Sequence, residues 1–175
     1  MIGQRWGVSH DEADRHYPCD ALTTAAVLPL WRGVTVDVPP AQVWPWLCQL
    51  RLAPYSYDWL DNLGRRSPQE MRSLPDPRPG ARFSQIGGRV PVGRILAVAP
   101  GEHITARIMS ALMSYVLVPR DGSTRLLLKI LVPQRPYATL LALGDWPMAR
   151  RQLLNLKSLA EAPGTADPSA RRPPA

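Results

Sequence analysis

The chain has 175 residues, of which 45% are hydrophobic and 20% charged, and this suits one globular domain that buries roughly two-thirds of its unfolded surface. Its formal net charge is +7, but the basic residues are mostly arginines spread in pairs such as Arg65-Arg66 and Arg150-Arg151. A nucleic-acid-binding arm needs a block of like charge, so no nucleic acid is expected as a partner. A surface that weakly attracts anionic ligands or membranes is the plainer reading.

Cys19 and Cys48 are the two cysteines, and residues 1–15 lack the apolar stretch of a signal peptide. Free thiols and a cytoplasmic location are therefore expected, with Cys48 a small core residue. His10, His16 and His103 have no ligand spacing with one another or with the cysteines, so no metal is expected. The longest apolar stretches, such as residues 21–31, fall short of a bilayer span, which argues against stable membrane insertion.

Residues 5–20 are polar and mildly helical, with Ser9 positioned to cap a short helix. Residues 21–30 show no period and read as an extended approach to the core. Residues 31–38 read as the first strand, because Val34, Val36 and Val38 alternate with Thr35 and Asp37. Pro39-Pro40 ends it and favours a helix start. Val43, Trp46, Leu47 and Leu50 then share one helical face. Pro45 predicts a late start or a kink in that helix.

A second short helix is expected over residues 56–64, with Ser56 as its cap, Leu60 and Leu63 on one face and Gly64 closing it. Residues 65–80, rich in Pro, Arg and Ser, read as a surface loop. Strands follow over residues 82–86, 89–98, 103–109, 112–119 and 123–132, separated by Gly87-Gly88, Pro100-Gly101-Glu102 and Asp121-Gly122, the last a strong hairpin signal. In the last strand Leu126, Leu128, Ile130 and Val132 face one way and Arg125, Leu127, Lys129 and Leu131 the other. Gly144-Asp145 should break the chain before a final helix with Pro147 in its first turn and Ala149, Leu153, Leu156 and Ala160 as its apolar stripe. The predicted organisation is an N-terminal extension (1–30) packing on the domain, a main domain (31–162) and a disordered tail (163–175).

This order predicts an α+β domain in which a curved antiparallel sheet, with two short helices after its first strand, wraps around one long C-terminal helix. An apolar ligand would occupy the space between sheet and helix. The chain resembles the SRPBCC superfamily, which includes START lipid-transfer domains, pollen-allergen-like proteins and polyketide cyclase/dehydrase-like proteins, and within it a bacterial, largely uncharacterised group. The resemblance is carried by Arg5-Trp6-Gly7, Val43-Trp44-Pro45-Trp46-Leu47-Cys48-Gln49 and, most specifically, the segment from Tyr55-Ser56-Tyr57-Asp58-Trp59 through Leu60-Asp61-Asn62-Leu63-Gly64. Weaker matches are Pro79-Gly80, Thr124-Arg125-Leu126 and residues 148–161. The lead into the Tyr-Ser-Tyr segment departs from the pattern, because Arg51-Leu52-Ala53-Pro54 has no glycine. The resemblance implies a helix-grip fold and a hydrophobic ligand more firmly than any chemistry.

The candidate cavity residues are Trp44, Tyr55, Tyr57, Asp58, Trp59, Asn62, Arg107, Tyr115 and Trp146. The tyrosines and tryptophans would offer stacking faces and a few hydrogen bonds. The competing structural role for Tyr55 to Asn62 is to glue the short helices to the sheet, with Asp58 or Asn62 capping backbone groups. Arg107, Tyr115 and Lys129 lie on strands that could floor the cavity, where a buried cation would call for an acidic ligand group, although the solvent face is the commoner home for such charges. His103 is expected in an exposed turn. No Ser or Cys has a His partner by motif, and no glycine-rich phosphate loop is present. Three readings follow: a carrier of a small hydrophobic molecule without a cofactor, a cyclase/dehydrase-like enzyme using the same cavity, and a protein-interaction module.

Overall fold

The computed structural model describes residues 3–134 and 138–163. Ser9 caps α1 (His10–Asp14): its hydroxyl accepts from Glu12 N–H at 3.2 Å, and Glu12 Oε2 accepts from Ser9 N–H at 3.0 Å. This reciprocal pair satisfies donors that the first turn would otherwise leave open. A 3-10 turn follows at Pro18–Leu22.

The strand expected first is the second. A two-residue strand, β1 (Arg5–Trp6), pairs in parallel with β2 (Val27–Val36). Two helical segments come next, α2 (Pro40–Gln49) and α3 (Asp58–Asp61). α2 begins at its first proline and carries Pro45 inside it without a late start. α3 is a single turn, capped by Tyr57 with no side-chain bond, so Ser56 does not cap it. Strands β3 (Arg82–Ile86), β4 (Val90–Ala99), β5 (His103–Ile108), β6 (Ala111–Arg120) and β7 (Ser123–Pro133) lie close to their expected places. The final helix, α4 (Ala138–Glu161), starts earlier than expected and runs through Gly144 and Pro147. Residues 164–175 of the expected tail lie outside the described residues.

The strands form one seven-stranded sheet in the order β1-β2-β7-β6-β5-β4-β3, antiparallel except for the β1–β2 pair. α2 and α4 cover one face, the inner face. There Leu30, Val36, Ile104, Ala106, Tyr115, Leu126, Leu128 and Ile130 meet Trp46 and Leu47 of α2 and Leu153 and Leu156 of α4. Removing this area from water is the main stabilisation of the fold. α4 packs chiefly on β2 and α2.

The outer face is also covered. Tyr17 and Cys19, from the 3-10 turn, pack on Leu112, Val116, Leu127 and Leu131. The alternating residues of β7 are thus buried on both faces, which explains why both of its rows are largely apolar. Lys129 points outward, pairs with Asp20 at 2.7 Å and lies over the Tyr17 and Trp31 rings. Arg125 meets Glu12 through Nε and Nη2, both at 2.8 Å, and Nη2 also donates to Gly7 O. Gly33 makes this crossing possible, because a Cβ there would stand 2.8 Å from Arg125 Nη2.

Candidate functional site

The structure brings together part of the expected set and separates the rest. Tyr115, on β6, points inward with its ring 6.1 Å from that of Phe83. Its hydroxyl donates to Gln152 Oε1 at 2.7 Å, and Gln152 Nε2 donates to Pro54 O at 2.5 Å. Sheet, α4 and the chain leading to Tyr55 are therefore joined at one point.

Tyr55 follows directly. It is 1% exposed and adopts a left-handed backbone with φ 57°, an unfavourable conformation for a bulky residue. Neighbouring groups hold it there. Tyr55 N–H donates to Ser67 Oγ at 3.2 Å, and Asn155 Nδ2 of α4 donates to Tyr55 O at 2.8 Å. Among the described residues the buried Tyr55 hydroxyl has no hydrogen-bond partner, nor has Trp46 Nε1, and Trp46 is also 1% exposed. An unpaired buried polar group costs about 1–3 kcal/mol, so two of them within one apolar core call for an explanation. Burial pushes the Tyr55 hydroxyl well above the usual tyrosine range, which keeps it protonated and able to donate.

Asp58 and Asn62 have structural partners. Asp58 Oδ2 accepts from Ser67 N–H at 2.8 Å and Oδ1 from Ser67 Oγ at 2.6 Å. Asn62 Oδ1 accepts from Gly87 N–H at 2.9 Å and its Nδ2 donates to Arg65 O. These contacts fasten α3 to the loop after it and to the β3–β4 turn, as the competing role anticipates. Ser56 Oγ donates to Asp61 Oδ2. Burial is the main reason that the Asp61 carboxyl is raised to about 6. Tyr57 is half-buried and its carbonyl accepts from Leu60 and Asp61 N–H. Trp44 packs half-buried against the inner core.

Three expectations need correction. Trp59 is exposed, as are Leu60 and Leu63, so that short helix presents its apolar side to solvent and not to a cavity. Arg107 is exposed and has the strand parity of Thr105 on the outer face. His103 is the half-buried first residue of β5, its Nδ1 is buried without a hydrogen-bond partner among the described residues, and burial lowers its pKa. The expectation for Trp146 falls on a side chain outside the described residues.

One inner-face residue escaped the sequence reading. Arg32 is fully buried and stands on β2 between the inward-facing Leu30 and Val34. Its Nη1 donates to Gln4 O and Trp31 O, each at 2.8 Å. The signal was there, because Arg32 shares the parity of Val34 and Val36.

A small open depression of about 100 Å³ lies beside α3. Arg65, Arg66 and Arg72 make its wall basic, beside Asn62 and Gln85 and the apolar Leu52 and Ala53. Cys19 and Cys48 are free and buried, and burial raises both thiols, Cys48 to about 11. Among the described residues, no cluster of three or more His, Cys, Asp or Glu could hold a metal ion, and no helix is long and apolar enough to cross a membrane.

These features define an α+β protein with a mostly antiparallel open sheet and a C-terminal helix, an arrangement compatible with the helix grip. No family model and no curated protein matches the chain. Solved structures share its fold. A protein from Rhodobacter sphaeroides aligns over 75% of this chain and 91% of its own, with a TM-score of 0.52 at 16% identity. One from Mesorhizobium loti aligns over 75% and 95%, with a TM-score of 0.51 at 17% identity. One from Nitrosomonas europaea aligns over 75% and 93%, with a TM-score of 0.51 at 18% identity. All three are structural-genomics proteins, and at these identities the likeness is one of fold.

Proposed function

We propose that the protein binds a small, largely apolar molecule between the inner face of the sheet and α4, in the manner of a helix-grip carrier. The observation that carries this reading is that two buried donors, the Tyr55 hydroxyl and Trp46 Nε1, have no partner among the described residues in the core that α2 and α4 close. Each donates one hydrogen bond, and a ligand with a carbonyl or ether oxygen would satisfy them. Apolar burial would supply most of the affinity, and the two donors would orient the ligand. The strained Tyr55 backbone, held from both sides by Ser67 and Asn155, fits a position where local cost is tolerated for binding. The SRPBCC resemblance agrees with this class of ligand.

A cyclase/dehydrase-like enzyme is the second reading, and Tyr55 favours it too. A phenol kept protonated in a dry core can polarise a substrate carbonyl. The other candidate acid–base groups give it less support, because Arg107 faces solvent and Asp58 is engaged by Ser67.

Uptake of prodan, a fluorescent naphthalene that carries a ketone, tests the binding reading. The expected result is saturable uptake of about one probe per chain, weakened several-fold by Tyr55→Phe and by Trp46→Phe. No uptake, or uptake indifferent to both substitutions, would exclude it.

A further inference from the structure

We infer that the face formed by α3 and the β3–β4 turn docks the protein on an anionic phospholipid surface. The inference rests on that surface alone and is independent of any interior ligand. Trp59 is 73% exposed and Leu63 75%, with Leu60 exposed beside them. A lone exposed apolar residue needs no explanation, but three within five positions, two on α3 and Leu63 just past its end, do. The patch continues onto the sheet. Leu63 lies over the β3–β4 turn, where a Cβ on Gly87 would stand 3.2 Å from Leu63 Cδ1. Val90, at the start of β4, is exposed next to that turn.

Charge surrounds this patch. Residues 58–94 carry seven arginines against four acidic residues, Asp58, Asp61, Glu70 and Asp76, and of these Asp58 is engaged by Ser67 and Asp61 by Ser56. The guanidinium of Arg65 lies over Gly88 and donates to Gly87 O at 3.4 Å. Arg65, Arg66 and Arg72 line the small basic depression, and none of the three has a carboxylate within ion-pair distance among the described residues. Gly87 and Gly88 both have positive φ, 61° and 69°. Their missing side chains let Leu63 and Arg65 lie across the turn together.

Exposed apolar tips with Arg65, Arg66 and Arg72 close by match the chemistry of a bilayer interface. Tryptophan prefers the headgroup level, Leu and Val gain by entering the acyl boundary, and arginines are drawn to lipid phosphates. Aliphatic neighbours of this kind would gain little from stacked bases, which sets the patch apart from a nucleic-acid surface.

The test is co-sedimentation of the full chain with vesicles of phosphatidylglycerol and phosphatidylcholine in equal parts, against pure phosphatidylcholine. The expected result is binding to the anionic vesicles, little to the neutral ones, and release at about 0.5 M salt. Trp59→Ser with Leu63→Ser, and Arg65→Ser with Arg66→Ser, should each weaken it about tenfold or more. All four residues are exposed, so circular dichroism and melting should match the parent chain. The inference fails if anionic vesicles do not retain the protein, or if both paired variants bind as the parent does. It also fails if the patch proves to join two copies, read as a dimer in sedimentation that Trp59→Ser with Leu63→Ser dissolves.

Discussion

Tyr115 and Gln152 meet at 2.7 Å, hydroxyl to Oε1, across the interface between β6 and α4. The same glutamine donates onward to Pro54 O. One side chain of the helix thus fixes both the floor of the inner face and the start of the segment that carries Tyr55. Tyr115→Phe should cost about 1 kcal/mol, because it leaves a buried acceptor open. Gln152→Ala opens both ends and should cost about 2 kcal/mol. Equilibrium urea unfolding measures both, with m-values unchanged.

Tyr55→Phe should act in the opposite direction on stability. It removes a buried hydroxyl that has no partner among the described residues, so the ligand-free chain should gain about 1 kcal/mol. The same change should lower affinity for a carbonyl-bearing probe several-fold. Melting temperature and probe titration on one preparation read both signs, and a loss on both counts would place the hydroxyl in an ordinary structural role.

Glu12 and Arg125 should make folding sensitive to acid. The hydrogen bond from Arg125 holds the Glu12 carboxyl below its ordinary value of 4.5, against the opposing effect of burial. A depressed carboxyl pKa contributes stability that is present above 4.5 and is lost as pH falls through the folded-state value. Glu12→Gln should therefore cost roughly 2 kcal/mol at neutral pH. The deficit should shrink as pH falls below 4.5, measured by urea unfolding across the acid range.

Asp61 carries the opposite sign. Burial raises its carboxyl from 3.8 to about 6, so the ionised form is disfavoured in the folded chain. The cost is absent below 3.8, grows as pH rises toward about 6 and is complete above it. Asp61→Asn should melt higher than the parent at neutral pH and converge with it in acid, since the amide oxygen can still accept from Ser56.

Much of this architecture was legible in the chain. Alternation in residues 123–132 and the Asp121-Gly122 signal define the β6–β7 hairpin, and Ser9 with Glu12 marks α1. Parity sets Arg107 apart from the inward Ile104 and Ala106, and Arg32 shares the row of Val34 and Val36, but a charged side chain is rarely fully buried, so its place inside was not expected. Other features left no local trace. β1 is two residues long and has no period to read. The outer layer depends on Tyr17 and Cys19 reaching β6 and β7, about a hundred residues away, which no local window records. Pro147 suggested a helix start because proline suits a first turn, yet α4 continues through it, as packing can override propensity. Within the site, the tyrosines were visible as residue types. Pairing of the Tyr115 hydroxyl depends on Gln152, and the hold on the Tyr55 backbone on Ser67 and Asn155, positions that no motif connects to the tyrosines.

A bound ligand would be seen by native mass spectrometry of the protein purified from the organism that makes it, followed by solvent extraction. The expected result is a near-stoichiometric small apolar molecule bearing at least one hydrogen-bond acceptor, retained less well by the Tyr55→Phe chain. A polypeptide mass alone, together with no gain in melting temperature from any carbonyl-bearing apolar probe, would contradict it.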